Sequence, residues 1–128
     1  MFVDSAYVLK ALSDTAFSVV DARSEGRFKG HEPEPRAGLR GGHMPNAVNI
    51  PFADLVIDGF LQQPESLKSI FEKRVKKEQA LIFSCGSGVT ACVDALAAEL
   101  AGYSNLAVYD GSWSEWGLPS SGLPVTKE

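Results

Sequence analysis

The sequence predicts an α/β domain of three layers, with a mostly parallel central sheet and helices on both faces. Three observations lead there. Short apolar runs recur along the chain, at 18–20, 47–50, Ala80–Ser84 and Leu106–Tyr109. Segments with the apolar spacing of helices lie between them, and that alternation favours parallel strands joined by crossover helices. The chain has 128 residues with 45% apolar content, enough for one packed core, so residues 1–128 read as a single domain.

Taken in order, Asp4 or Ser5 caps a first helix carrying Val8, Leu9 and Leu12, within an N-terminal helical region spanning 1–16. The run at 18–20 is rich in β-branched residues and ends in Asp21, Ala22 and Arg23, which reads as a buried strand. From 29 to 45 the composition changes to KGHEPEPRAGLRGGHMP, dominated by Gly and Pro. A loop of this length inside a compact domain is usually functional or disordered. Residues 47–50 form a second strand, stopped by Pro51.

Leu67, Ile70, Phe71 and Val75 share one helical face, and Lys68, Lys73, Arg74, Lys76 and Lys77 turn to water, so this basic run reads as a solvated face. Ala80–Ser84 is a third strand. Gly86 and Gly88 then break the pattern, and a helix begins at Val89 with Val89, Cys92, Val93, Leu96 and Leu100 on its core face. Gly102 stands where its C-cap belongs. Leu106–Tyr109 is a fourth strand, followed by the short Ser112–Trp116 segment. The tail at 118–128, rich in Pro, Ser and Gly, forms a peripheral strap or frays.

Composition excludes several functions. A net charge of −4 argues against a nucleic-acid partner, which requires a basic surface. No apolar run approaches the ~18 residues of a membrane span. The N-terminus lacks a basic segment followed by an apolar one, so no secretory signal is expected. Two cysteines without a CxxC give no disulfide framework, which makes a reducing cytoplasm the default compartment. A mitochondrial protein that has lost its transit peptide would look the same. Two cysteines and two histidines at scattered spacings make no structural zinc site.

The candidate nucleophile is Cys85. It directly follows a buried strand and precedes a helix, the place where open α/β sheets bind ligands. Residues 86–90 (Gly86, Ser87, Gly88, Val89 and Thr90) are expected to turn backbone N–H groups toward one point, with Gly86 and Gly88 allowing positive φ and close approach. The positive end of the following helix adds to this, and the setting favours a thiolate and any anion built on its sulfur. Cys92, on the expected core face, reads as packing. A cysteine phosphatase would need an arginine at position 91 to grip phosphate, and that residue is Ala91. A nucleotide P-loop is excluded because no Lys–Ser/Thr pair follows the glycines.

Four ordered motifs carry a resemblance. VVDARSEGRF (19–28), GHMPNAVNIP (42–51), CGSGVT (85–90) and YDGSWSEW (109–116) resemble the first strand, the GH-x-P-x-A-x-N-x-P signature, the active-site loop and the C-terminal signature of the rhodanese-homology sulfurtransferases. The neutral CGSGVT form is most similar to the catalytic C-terminal half of the 3-mercaptopyruvate sulfurtransferases, because thiosulfate-preferring members have a cationic loop there.

The resemblance implies a Cys85 persulfide as the intermediate, with Arg27 and Arg36 binding the donor carboxylate. A planar guanidinium suits a 2-keto acid better than a lysine ammonium does. It implies a small-molecule donor (3-mercaptopyruvate or thiosulfate) and a thiol, cyanide or thioredoxin acceptor, with no metal or organic cofactor. Ser87 corresponds to a member of a proton relay whose other residues come from a second, inactive domain. The chain fits both a natural single-domain protein and one half of such a pair. The resemblance also assigns His43 to loop organisation rather than to a Cys–His dyad. Arg23 and Arg40 read as structural or surface residues, and Trp113 and Trp116 as packing.

Overall fold

The computed structural model describes residues 1–86 and 89–128. Its strands are β1 (Phe2–Val3), β2 (Phe17–Asp21), β3 (Val48–Asn49), β4 (Val56–Ile57), β5 (Phe60–Leu61), β6 (Ala80–Ser84) and β7 (Leu106–Tyr109). The helices are α1 (Ser5–Ala11), α2 (Glu25–Lys29), α3 (Pro64–Glu72), α4 (Val89–Leu100) and α5 (Ser112–Trp116), with 3-10 turns at Phe52–Leu55 and Pro119–Ser121. The main sheet runs β1-β7-β6-β2-β3, and every pairing in it is parallel. Registers such as Asp21 with Ser84 bring the carboxyl ends of β2 and β6 level, which fixes where a cleft forms.

All five residues of β6 are buried, as its unbroken apolar run requires of a strand covered on both faces. One face packs Leu67 and Phe71 of α3 and Ala91, Ala97 and Ala98 of α4 against Val20, Leu81 and Phe83. The other packs Val8 and Ala11 of α1 and Trp113 and Trp116 of α5 against Val19, Ile82 and Tyr109. The expected three-layer α/β arrangement is therefore present. Each fully buried aromatic or large aliphatic side chain contributes about 1.5–3 kcal/mol of transfer free energy.

Local chemistry explains the element ends. Asp4 caps α1 by accepting the Tyr7 N–H at 2.9 Å. Ser24 does the same for α2 from Arg27, and Gly30 closes that helix in the left-handed conformation at φ 82°. Gly102, at φ 102°, follows α4 in the same way. Strands β4 and β5 form a hairpin across Asp58-Gly59, both at positive φ, the usual Asp-Gly turn.

The buried face of α4 differs from the expected one. Val89, Leu96 and Leu100 are 72%, 50% and 45% exposed, and Cys92 is exposed too, whereas Ala91, Asp94, Ala97 and Ala98 face the core. Small alanine side chains let the helix lie close to the sheet, and an acidic residue on that face tilted the apolar pattern the other way. The tail at 118–128 is tied down as a strap: Thr126 exchanges backbone hydrogen bonds with His43 at 2.8 Å, and Pro124 accepts the Trp116 indole N–H at 2.8 Å. Among the described residues no helix is long and apolar enough to cross a membrane.

Candidate active site

Cys85 leaves the end of β6 with only 1% of its surface exposed, so a reactant must reach it along the groove above the strand ends. The first N–H groups of any helix lack partners within it. In α5 those of Trp113 and Ser114 donate to the carbonyls of Cys85 (2.8 Å) and Gly86 (2.9 Å), which fastens the start of the loop to a second element. The Cys85 N–H donates to Ser112 Oγ at 3.1 Å, and that oxygen lies 4.0 Å from Cys85 Sγ and 2.9 Å from the Tyr109 carbonyl. Ser112 adopts φ 51°, a left-handed conformation rare for a residue with a side chain and costing about 1 kcal/mol. The hydroxyl is held beside the sulfur at that expense.

Two arginines flank the loop. The Arg27 guanidinium lies over Gly86, with Nη2 2.8 Å from where a β-carbon at that position would stand. Glu34 grips Arg27 from behind, accepting from Nη2 at 2.8 Å and from Nε at 3.3 Å. Arg36 is exposed and makes no ion pair with any described residue. Arg27, Arg36, Pro35, Leu39, Gly86 and Ser114, with Glu34 behind, line an open cleft of about 510 Å³.

The structure thus brings Arg27, Arg36 and Gly86 together at the strand ends. Gly86 does not take a positive φ, contrary to expectation. Its missing side chain matters for the close approach of Arg27. Thr90 is half-buried in the first turn of α4, while Val89 is largely exposed. Ser87 and Gly88 lie outside the described residues.

Arg23 is a buried structural residue. It pairs with Asp21 at 2.7 Å and Glu34 at 3.2 Å, donates to the Gly42 carbonyl at 2.7 Å and stacks 4.1 Å from the Trp113 ring centroid. Arg40 donates to the Trp116 carbonyl at 2.8 Å. His43 is buried, stacked on Phe28 at 3.8 Å, with Nδ1 2.6 Å from the Phe28 carbonyl. A carbonyl only accepts, so Nδ1 carries the proton and His43 braces the long loop. Trp113 and Trp116 are wholly buried packing residues.

Four residues with a place in this architecture escape sequence reasoning: Glu34, Ser112, Ser114 and Asp94. Asp94, on the buried face of α4, is fully enclosed, and neither carboxylate oxygen has a hydrogen-bond partner among the described residues. Burial, followed by the negative charges of Asp21, Cys85 and Asp54, pushes its carboxyl up to about 9, so it is a neutral acid at pH 7. An Asp in the middle of a largely apolar helix, between Val93 and Ala95, was the available signal. Glu34 could have been found only by placing the long loop in space.

A loop at the carboxyl edge of a parallel sheet, beside a cleft lined by two guanidinium groups, defines an α/β domain whose strand ends form an arginine-lined cleft. Residues 4–118 match the Rhodanese family (Rhodanese-like domain), and the chain belongs to it. It is 50% identical over 111 residues to a 3-mercaptopyruvate sulfurtransferase of Mus musculus, covering 85% of this chain and 37% of that protein. It is 52% identical over 112 residues to a thiosulfate sulfurtransferase of Rattus norvegicus, covering 85% and 38%. The crystal structure of the Tum1 protein from Saccharomyces cerevisiae superposes with a TM-score of 0.88 at 33% identity, covering 98% of this chain and 46% of that one. The chain spans less than half the length of each of these relatives.

Proposed function

We propose that this domain is a sulfurtransferase that takes a sulfane sulfur from 3-mercaptopyruvate onto Cys85 and passes it to a thiophilic acceptor. The observation that carries this reading is the placement of Arg27 and Arg36 around a cleft whose floor is the residue after Cys85. Similarity to 3-mercaptopyruvate and thiosulfate sulfurtransferases at about 50% identity supports the same reaction class.

The Cys85 thiolate attacks the donor sulfur. An S–S bond forms as the donor C–S bond breaks, and the electron pair leaves as the enolate of pyruvate. The proton given up by the donor thiol ends on the enolate carbon, so pyruvate departs and Cys85 holds an anionic persulfide. Arg27 and Arg36 bind the donor carboxylate and carbonyl through guanidinium edges. Residues 86–90 stabilise the persulfide, and Ser87 hands on the proton. Cyanide, a thiol or reduced thioredoxin then attacks the outer sulfur and regenerates the thiolate in a ping-pong cycle. The cysteine count favours a reducing compartment such as the cytoplasm.

A second reading, that the domain carries sulfur for a partner or completes its site with a second rhodanese domain, is compatible with the same similarities, which cover 37% and 38% of those relatives. The test is loading of Cys85 by 3-mercaptopyruvate and by a neutral polysulfide in Arg27→Ala and Arg36→Ala variants. The enzyme reading predicts losses of at least about tenfold with the keto acid and little change with polysulfide. Equal losses with both donors would remove the arginines from donor binding. Absence of keto-acid loading in the unaltered protein would favour the carrier.

A further inference from the structure

The carboxylate that holds Arg27 is nearly inaccessible: the Glu34 side chain is 1% exposed. Its Oε1 accepts from Arg27 Nη2 at 2.8 Å, and its Oε2 accepts from Arg27 Nε at 3.3 Å and from Arg23 Nη1 at 3.2 Å. Arg23 is itself forked onto Asp21. The two buried carboxylates therefore offset Arg23 and Arg27, and the exposed Arg36, which makes no ion pair with any described residue, leaves one uncompensated positive charge at the cleft. Glu34 also occupies the Nε–Nη2 edge of Arg27, leaving the Nη1 side for a ligand.

We propose that Glu34 sets the charge of the donor this cleft accepts, as a positioning residue that cancels one of the two cleft arginines and selects a donor with one carboxylate over a dianion. The inference rests on the sulfurtransferase reading above and specifies its donor. A monocarboxylate balances the uncompensated charge. A dianion leaves surplus negative charge next to the Cys85 thiolate, in a cleft walled by Leu39 and Pro35 where charges are weakly screened.

The test is binding without turnover. In a Cys85→Ser background, affinities for pyruvate, a monoanion, and for thiosulfate, a dianion, are measured by calorimetry at fixed ionic strength. Glu34→Gln keeps the shape of the side chain and removes its charge. It should move the thiosulfate-to-pyruvate affinity ratio at least about tenfold toward thiosulfate, because one added unit of charge acts twice on a dianion. Glu34→Asp, which keeps the charge, should retain the original ratio within about threefold even if both ligands bind more weakly. Glu34→Ala, which removes the same charge and leaves room for water, should shift the ratio in the same direction as Glu34→Gln, which keeps the test decisive if Glu34→Gln alone does not fold.

An unchanged ratio in Glu34→Gln and Glu34→Ala, or an equal shift in Glu34→Asp, overturns the proposal. Failure of the sulfurtransferase reading shows separately, as Cys85 of the unaltered protein remaining unloaded by either donor.

Discussion

The Arg27 guanidinium rests on Gly86, the residue after Cys85, which has no side chain to repel it: Nη2 stands 2.8 Å from the position a Gly86 β-carbon would occupy. Because Glu34 grips the other side of Arg27, the arginine cannot retreat without weakening a buried ion pair.

Gly86→Ala should therefore impair donor binding rather than folding. Gly86 has no positive φ, so alanine meets no backbone strain, and the added methyl displaces only the end of Arg27. The expected outcome is a KM for 3-mercaptopyruvate raised about three- to tenfold, with a stability loss of no more than about 1 kcal/mol from the loosened Arg27–Glu34 pair. Steady-state kinetics with a melting curve check both halves. A changed melting curve with an unchanged KM would contradict the steric account.

Ser112 combines a strained backbone with a hydroxyl against the Cys85 N–H. Ser112→Ala keeps the strain and loses the bond, and should cost about 1–2 kcal/mol. Ser112→Gly relieves the left-handed φ and should recover part of that loss. Denaturant unfolding of the two variants reads the order: alanine must be the less stable. Loading of Cys85 should fall in both, since neither restores the oxygen near the sulfur.

The buried Arg23 pairs with Asp21 and Glu34 and also covers Trp113. Replacing it with Met leaves Asp21 without its counter-ion and Glu34 with Arg27 alone in a water-poor site. The expected cost is about 3–5 kcal/mol, measured by urea denaturation. A loss below about 1 kcal/mol would mean that the network relaxes or admits water.

Asp94 makes stability depend on pH in a particular direction. The folded protein keeps this carboxyl protonated to about pH 9, whereas an exposed aspartate releases its proton near its ordinary value of 3.8. Between those values the unfolded chain binds fewer protons than the folded one, so stability falls as pH rises across the window. For one proton the slope is at most about 1.4 kcal/mol per pH unit. Asp94→Asn removes this slope. Its advantage over the unaltered protein should be near zero at pH 4 and grow steadily toward pH 8.5, as followed by denaturant titrations. A difference independent of pH would contradict the burial of a neutral acid.

The sequence disclosed these features unevenly, for physical reasons. The strand at Ala80–Ser84 was evident because an unbroken apolar run before a Gly-rich loop has few other uses, and that run placed Cys85. The five-residue α2 was too short to show a period, and the β4–β5 hairpin depended on a single Asp-Gly pair. The face of α4 was misread because its core side is alanine with a buried aspartate, while its leucines lie outward. In the site, Arg27 and Arg36 emerged from motif resemblance. Glu34 did not, because its role comes from a loop folding back over α2 to meet Arg27 and Arg23, and no pattern of spacing marks that irregular return.

The most direct test of the central claim is intact mass under non-reducing conditions after incubation with 3-mercaptopyruvate, with thiosulfate, and with neither, alongside a Cys85→Ser control. Gain of one sulfur atom from mercaptopyruvate, absent in the control, is the predicted result. No gain from either donor, in protein whose Cys85 is shown to be reduced, would contradict stand-alone catalysis.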